Sequence, residues 1–341
     1  MPLWQAGSRT ARVVRDPRRR SERCPIHPES SHAPYAPTDA SPYVPPSRTA
    51  SRPAAWAAAL ALLAACAACG DDGDGGSGSG PRAKGEDGRN GWHLTWSDEF
   101  KGARGTPPDP HKWVHDTGGE PQWGNEEWQY YTDRTANAAL DGKGRLVLTA
   151  RRDQLPGMAD CRYGTCDITS GRLTTKGKFA QAYGKFEARI RVPEGKATLP
   201  AFWMMGDNDE EKSWPGNGEI DAMEVAGTEP GTVYGTVHGP GYADEGIGGS
   251  HELPEDARYS EDFHTYGVEW TKDRVTWTVD GTVYHRDLRA RHDEKHPWVF
   301  DHPFYLLLNL AVGGVWTGSV TSSTPLPARM TVDWVRVYER S

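Results

Sequence analysis

Glu219, Asp221 and Glu224 fall within six residues of one another, between Gly216-Asn217-Gly218 on one side and Ala226-Gly227 on the other. Along a strand, side chains alternate faces, so Glu219 and Asp221 project together while Glu224, an odd step further on, does not. A β-bulge at Ala222-Met223 would absorb one residue and return Glu224 to the face of the other acids. Three acids crowded on one face repel one another. Chemistry explains that crowding best, and glycosidic-bond hydrolysis is the reaction that needs two carboxyls flanking one bond. Same-face positions four apart have Cα atoms roughly 13 Å apart. Long glutamyl side chains on a concave sheet lean together, towards the about 5–5.5 Å that a retaining mechanism uses. A solvated acidic stripe and a Ca²⁺ site are the alternative readings. The stripe does not account for the flanking glycines, and Ca²⁺ prefers acids from a flexible loop.

These residues resemble the Glu-x-Asp-x-x-Glu signature of glycoside hydrolase family 16, in the form with the inserted residue that is typical of laminarinases, the endo-β-1,3-glucanases. Further blocks carry the resemblance over roughly residues 92–341. They are Trp96-Ser97-Asp98-Glu99-Phe100, Gly124-Asn125-Glu126 with Gln129-Tyr130-Tyr131-Thr132, and Leu173 to Phe179. Pro200-Ala201-Phe202-Trp203-Met204, Asn309 to Gly314 and Val332 to Tyr338 complete it. Two departures stand out: Leu199 replaces a tryptophan usual before Pro-Ala-Phe-Trp, and Val315 replaces an asparagine before Trp316. They bear on which sugar polymer is preferred, not on the chemistry.

The resemblance implies roles. Glu219 is the expected nucleophile, Glu224 the acid/base, and Asp221 the assistant that hydrogen-bonds Glu219. Asn125, Glu126, Arg172, Trp203, Trp214, His238 and Trp316 are the expected sugar-binding residues. For Trp123, Trp214 and Trp316, packing and sugar contact weigh equally; for Arg172 a salt bridge is an equal alternative. Trp277 and Trp334 sit inside strand patterns and read as core. No cofactor is expected for catalysis. A structural Ca²⁺ is implied on the convex side, with Glu99, the Gly142 carbonyl and Asp333 as ligands.

The elements that must position these groups are strands. Phe186, Ala188, Ile190 and Val192 alternate with Lys185, Glu187, Arg189 and Arg191, the period of a half-buried strand. Val275, Trp277 and Val279 repeat the pattern, and Asp280-Gly281 then predicts a tight hairpin. Leu146, Leu148 and Ala150 form another apolar row, and the apolar run Phe304 to Val312 suits a strand buried on both faces. Helical periodicity is not sustained anywhere. The expected fold class is all-β, a β-sandwich, and the family resemblance implies a jelly roll with a concave cleft.

Residues 1–53 carry nine arginines, no lysine and four acids, a net +5, and read as a disordered leader or a misassigned start. That leaves −13 of the overall −8 on residues 54–341, which argues against nucleic acid and anionic membranes as partners and suits a neutral polysaccharide. Residues 54–69 hold an apolar stretch too short to span a bilayer, preceded by Arg48 and Arg52, as in a signal peptide. Leu63-Ala64-Ala65-Cys66 resembles a bacterial lipobox, with Cys66 the lipidated residue; plain secretion is the alternative. Residues 70–91 form a Gly/Asp/Ser-rich tether, and 92–341 are the catalytic domain. Cys161 and Cys166 are expected to close a small disulfide in an oxidising compartment, a metal pair being the weaker reading. The protein is thus expected outside the cell or on its surface, as a monomer, touching a membrane only through a lipid anchor. Action on mixed-linkage glucan or a galactan, and non-catalytic glucan binding, are the competing functions.

Overall fold

The computed structural model describes residues 91–341, apart from 120–122, 124, 159, 162–163 and 209–210. Cys66 and the segments 1–53, 54–69 and nearly all of 70–91 lie outside the described residues. The strands run, in chain order, β1 (Trp92–Asp98), β2 (Val114–His115), β3 (Tyr130–Tyr131), β4 (Ala138–Leu140), β5 (Leu146–Arg152), β6 (Asp160–Cys161) and β7 (Gly164–Thr165). Next come β8 (Ile168–Ser170), β9 (Arg172–Thr174), β10 (Gly184–Arg191), β11 (Thr198–Gly206), β12 (Glu219–Glu224), β13 (Thr232–His238) and β14 (Ile247–Glu252). The last are β15 (His264–Thr271), β16 (Arg274–Val279), β17 (Thr282–Leu288), β18 (Phe304–Val312) and β19 (Ala328–Arg340). The single helical turn among the described residues is Arg289–Arg291, and no helix there is long and apolar enough to cross a membrane.

Two sheets make the sandwich. The outer one follows β17-β16-β15-β10-β19-β5-β8-β3, with β1 on β19 and β4 on β5; the inner one follows β14-β13-β12-β11-β18-β9-β2. Phe186, Ala188 and Ile190 of β10 are fully buried and their intervening partners are not, as the period of two requires. They face Phe202, Met204, Ile220 and Leu308 of the inner sheet in one core. Asp280 (φ 50°) and Gly281 (φ 76°) form the predicted two-residue turn between β16 and β17, and the left-handed pair is what a primed hairpin turn demands.

β18 is buried at all nine positions. Its Leu306, Leu308 and Leu310 enter the core, while Tyr305 and Leu307 join Ala201 and Trp203 in a separate apolar cluster on the opposite face. The inner sheet is therefore apolar in its middle on both sides, and the second side is the floor of the cleft. Trp277 is fully buried, as expected. Trp334 is a correction: it faces outwards, part-buried, with the Arg336 guanidinium 4.3 Å over its ring. The disulfide Cys161–Cys166 is formed.

Candidate active site

β12 lies inside the inner sheet, between β11 and β13. Its register shows the bulge. Asp221 pairs with Thr236 and Glu224 with Tyr234, so two residues, Ala222 and Met223, stand opposite the single Gly235. The shift recurs on the other side, where Trp203 pairs with Asp221 and Phe202 with Met223. Glu219, Asp221 and Glu224 consequently share a face with His238, Thr236 and Tyr234 of β13 and with Met205, Trp203 and Ala201 of β11. Both bulge residues, Ala222 and Met223, turn into the core.

A bulge breaks the ladder locally and leaves backbone groups in need of partners. Here the indole Nε1 of Trp277, reaching across the core from β16, donates to the Asp221 carbonyl at 2.7 Å. That approach depends on Gly235. A Cβ there would sit 2.1 Å from Trp277 Cδ1, 2.5 Å from its Nε1 and 2.5 Å from the Tyr284 hydroxyl.

The three acids have different surroundings. Glu219 Oε2 accepts the Trp214 indole N–H at 2.7 Å. Asp221 is 3% exposed; its Oδ2 lies 3.2 Å from His238 Nε2 but receives no aligned donor. The contact is an ion pair rather than a well-formed hydrogen bond. His238 Nδ1 meets the Ala243 carbonyl at 2.7 Å, which fixes the proton on Nδ1 and turns Nε2 towards Asp221.

Both glutamates keep a partial opening to solvent, yet protein crowds them closely. Burial raises Glu219 first and the Asp221 charge second; His238 and the Trp214 N–H oppose this, and it settles at about 8. Glu224 is pushed well above the usual carboxylate range by burial, then by the charges of Asp221 and Glu219, with Glu127 adding to them. Burial works against a charge on His238, but the contact with Asp221 and the charges of Asp221 and Glu219 raise it to about 10. Both carboxyls are raised, but of the two only Glu219 has a neutral donor aimed at its ionised form, so Glu219 gives up its proton more readily than Glu224. That difference suits Glu219 to the nucleophile and Glu224 to the acid.

The expected sugar-binding residues divide. Trp214 and Trp316 are among the most exposed aromatics, at 46% and 36%. Trp316 meets Tyr234 edge to face at 5.1 Å, and the Tyr234 hydroxyl donates to Glu229. Asn125 and Glu126 are left-handed (φ 52° and 55°), and the Asn125 carbonyl accepts the Val315 N–H at 2.9 Å, which ties this turn to the Trp316 loop. Trp203 is on the cleft face but mostly buried, its Nε1 bonded to Asn309 Oδ1 at 2.7 Å. It is a floor more than a platform. Arg172 is 9% exposed; its Nε is committed to Asp116 at 2.9 Å and its guanidinium lies over Trp123 (4.4 Å) and Trp203 (4.9 Å). The salt bridge, the equal alternative for that residue, is the contact formed.

Sequence reading missed Tyr234 and Glu127. Tyr234 was reachable, since it shares strand parity with His238. Glu127, 6% exposed, accepts from Tyr131 Oη at 3.1 Å and from Gln129, and adds to the field on Glu224. No short-range pattern separates it from Glu126.

The implied Ca²⁺ ligands do not suit a cation as they stand. Arg336 binds both oxygens of Glu99, at 2.9 and 3.0 Å. Asp333 takes Arg189 at 2.6 Å and Arg145 at 3.4 Å. A Ca²⁺ would have to displace these guanidinium groups, so no step is drawn through it.

Residues 122–336 match the profile described as Glycosyl hydrolases family 16. The chain is 43% identical to a β-glucanase of Rhodothermus marinus over 258 residues, 72% of this chain and 85% of that one. It is 37% identical to the glucan endo-1,3-β-glucosidase A1 of Niallia circulans over 73% of this chain, spanning 38% of that longer relative. Among solved structures, it is similar to the laminarinase catalytic domain of Thermotoga maritima, with 46% identity, a TM-score of 0.67, and 73% of this chain and 99% of that one covered.

Proposed function

The chain belongs to glycosyl hydrolase family 16 and is a glycoside hydrolase, and from that premise we propose that it cleaves β-1,3-glucan internally, with retention of anomeric configuration. Glu219 attacks the anomeric carbon while Glu224 gives its proton to the departing glycosidic oxygen. Glu224 then takes a proton from water, which releases the covalent glycosyl-enzyme. Its proton affinity falls once Glu219 is esterified, because one of the charges raising it has gone. Asp221 and His238 hold the Glu219 carboxylate in place. The observation that carries this reading is the bulge at Ala222-Met223, which brings Glu219 and Glu224 to one face. The substrate is a neutral polysaccharide of the laminarin type, lying across Trp203 between the exposed aromatics Trp214 and Trp316.

Two measurements test the proposal. Digestion of laminarin followed by proton NMR should show the β-anomer first, and an initial α-anomer would refute retention. Azide added to Glu224→Ala should give a β-glycosyl azide; an α-azide would exchange the roles of the two glutamates. Leu199, which joins Ala226 and Ala311 in a small apolar patch, favours a second reading in which mixed-linkage glucan is also cut. Oligosaccharide products from a panel of glucans and galactans separate the two. The export signal, the lipid on Cys66, the monomeric state and the surface location belong to this proposal as well; labelling with radioactive palmitate, with Cys66→Ala as control, tests the anchor.

A further inference from the structure

Glu219, Asp221 and His238 present two carboxylate oxygens and a ring nitrogen that all lie within 4.8 Å of one another. We propose that these three side chains form a binding site for one d-block divalent cation, Zn²⁺ being the probe, and that the bound metal shuts the enzyme off. Crowded acids alone would not support this. Two further features of the cluster do.

The first is Asp221 Oδ2, buried and facing the cluster with no aligned hydrogen-bond donor. The second is His238. Its Nδ1 is tied to the Ala243 carbonyl at 2.7 Å, the outer contact by which proteins orient a metal-binding imidazole. Its other nitrogen then faces Asp221 Oδ2 at 3.2 Å, and a metal bound there takes the place of the proton between them, which leaves to solvent.

The cluster is close to the size needed. Zinc sits about 2.0–2.2 Å from nitrogen and oxygen ligands, so two ligands of a tetrahedral ion lie about 3.4 Å apart and a span of 4.8 Å closes by about 1.4 Å. Glu219, the longer of the two acids and not fully buried, supplies that movement. An imidazole among the donors selects a d-block ion over Ca²⁺ or Mg²⁺, which take oxygen ligands. A fourth position is left to water or to a sugar hydroxyl. With its lone pair on the metal, Glu219 cannot attack, and the ion lies where the sugar ring must go. Metal and substrate therefore exclude each other.

The test uses the full chain, stripped with EDTA and dialysed. Zinc chloride is titrated in by calorimetry, and stoichiometry is read by native mass spectrometry. One Zn²⁺ per chain is expected for the wild type and for Glu224→Gln, which lies outside the donor set. His238→Gln and Asp221→Asn should each weaken binding by more than the roughly 10–100-fold that outer-shell changes cause, with circular dichroism confirming that each is folded. Zinc should also raise the apparent KM for laminarin without lowering kcat, and EDTA should reverse it. Undiminished zinc binding in either variant would overturn the site, and inhibition that substrate cannot outcompete would overturn the shut-off. Zinc binding is read without substrate, so a failure to cleave laminarin would strike the proposed function and leave this site standing.

Discussion

The contact between Trp277 and the bulge gives a quantitative handle on the catalytic geometry. Replacing Trp277 with Phe keeps an aromatic ring in the core but removes the N–H that reaches the Asp221 carbonyl at 2.7 Å. Leaving a buried carbonyl unsatisfied costs about 1–3 kcal/mol, and the smaller ring adds about 1 kcal/mol of lost packing. For a domain of this size, each kcal/mol lowers Tm by about 2–4 °C, so a fall of about 4–16 °C is expected in scanning calorimetry. Activity should fall further than stability explains. A misplacement of about 1 Å can cost a hundredfold, and the bulge is what aims Glu224, so kcat measured well below Tm should drop by about 10–100-fold. Gly235→Ala attacks the same contact from β13, because its Cβ would overlap the Trp277 ring and the Tyr284 hydroxyl. Placed on top of Trp277→Phe it should lower kcat less than it does alone, because the N–H contact it disturbs is already gone, a coupling that a double-mutant cycle measures. If Trp277→Phe keeps kcat within about twofold while stability falls, the indole is mere packing and the argument is wrong.

Other outcomes follow from the same geometry. Glu219→Gln and Glu224→Gln should each lower kcat by at least about a thousandfold, within or beyond the range of proton-transfer effects, with unchanged circular dichroism. Glu219 and Glu224 both bind protons more tightly folded than unfolded, so their contribution to stability is full below about pH 4.5 and is lost as pH rises towards 8. Glu224→Gln should therefore melt higher than wild type at pH 8 and level with it at pH 4; equal shifts at both pH values would contradict the assignment. EDTA should leave Tm unchanged within about 1 °C, because arginines already neutralise Glu99 and Asp333; a larger drop would reveal a resident Ca²⁺. The disulfide sulfurs pack against Gly119, beside the Gly118 carbonyl that takes the Trp123 indole at 2.9 Å. Cys161→Ser with Cys166→Ser should raise KM severalfold and spare kcat, since Trp123 and Arg172 wall the cleft rather than reach the acids.

What the sequence made legible was whatever depends on local period or on a short motif. The alternation in β10 and β16, the Asp280-Gly281 turn and the parity argument for a bulge at Ala222-Met223 all concern residues adjacent in the chain. They hold because strand sidedness follows from spacing alone. Contacts between distant segments were not legible. That Trp277 should pin Asp221 requires two sheets to be stacked first, 56 positions apart in the chain. Arg336 on Glu99 is 237 positions apart, and it gives the expected Ca²⁺ ligand an ion-pair partner. Trp334 was misjudged because its strand has two faces and period alone does not say which is inward.

The strand layer that carries the acids separates two apolar compartments. Leu199, Ala226 and Ala311 on one side, like Ala201 and Leu307, belong to clusters distinct from the interior beneath. Residues lining the groove can thus be exchanged without disturbing what keeps the molecule folded. A groove built this way can be re-lined while the machinery that breaks the bond stays where it is.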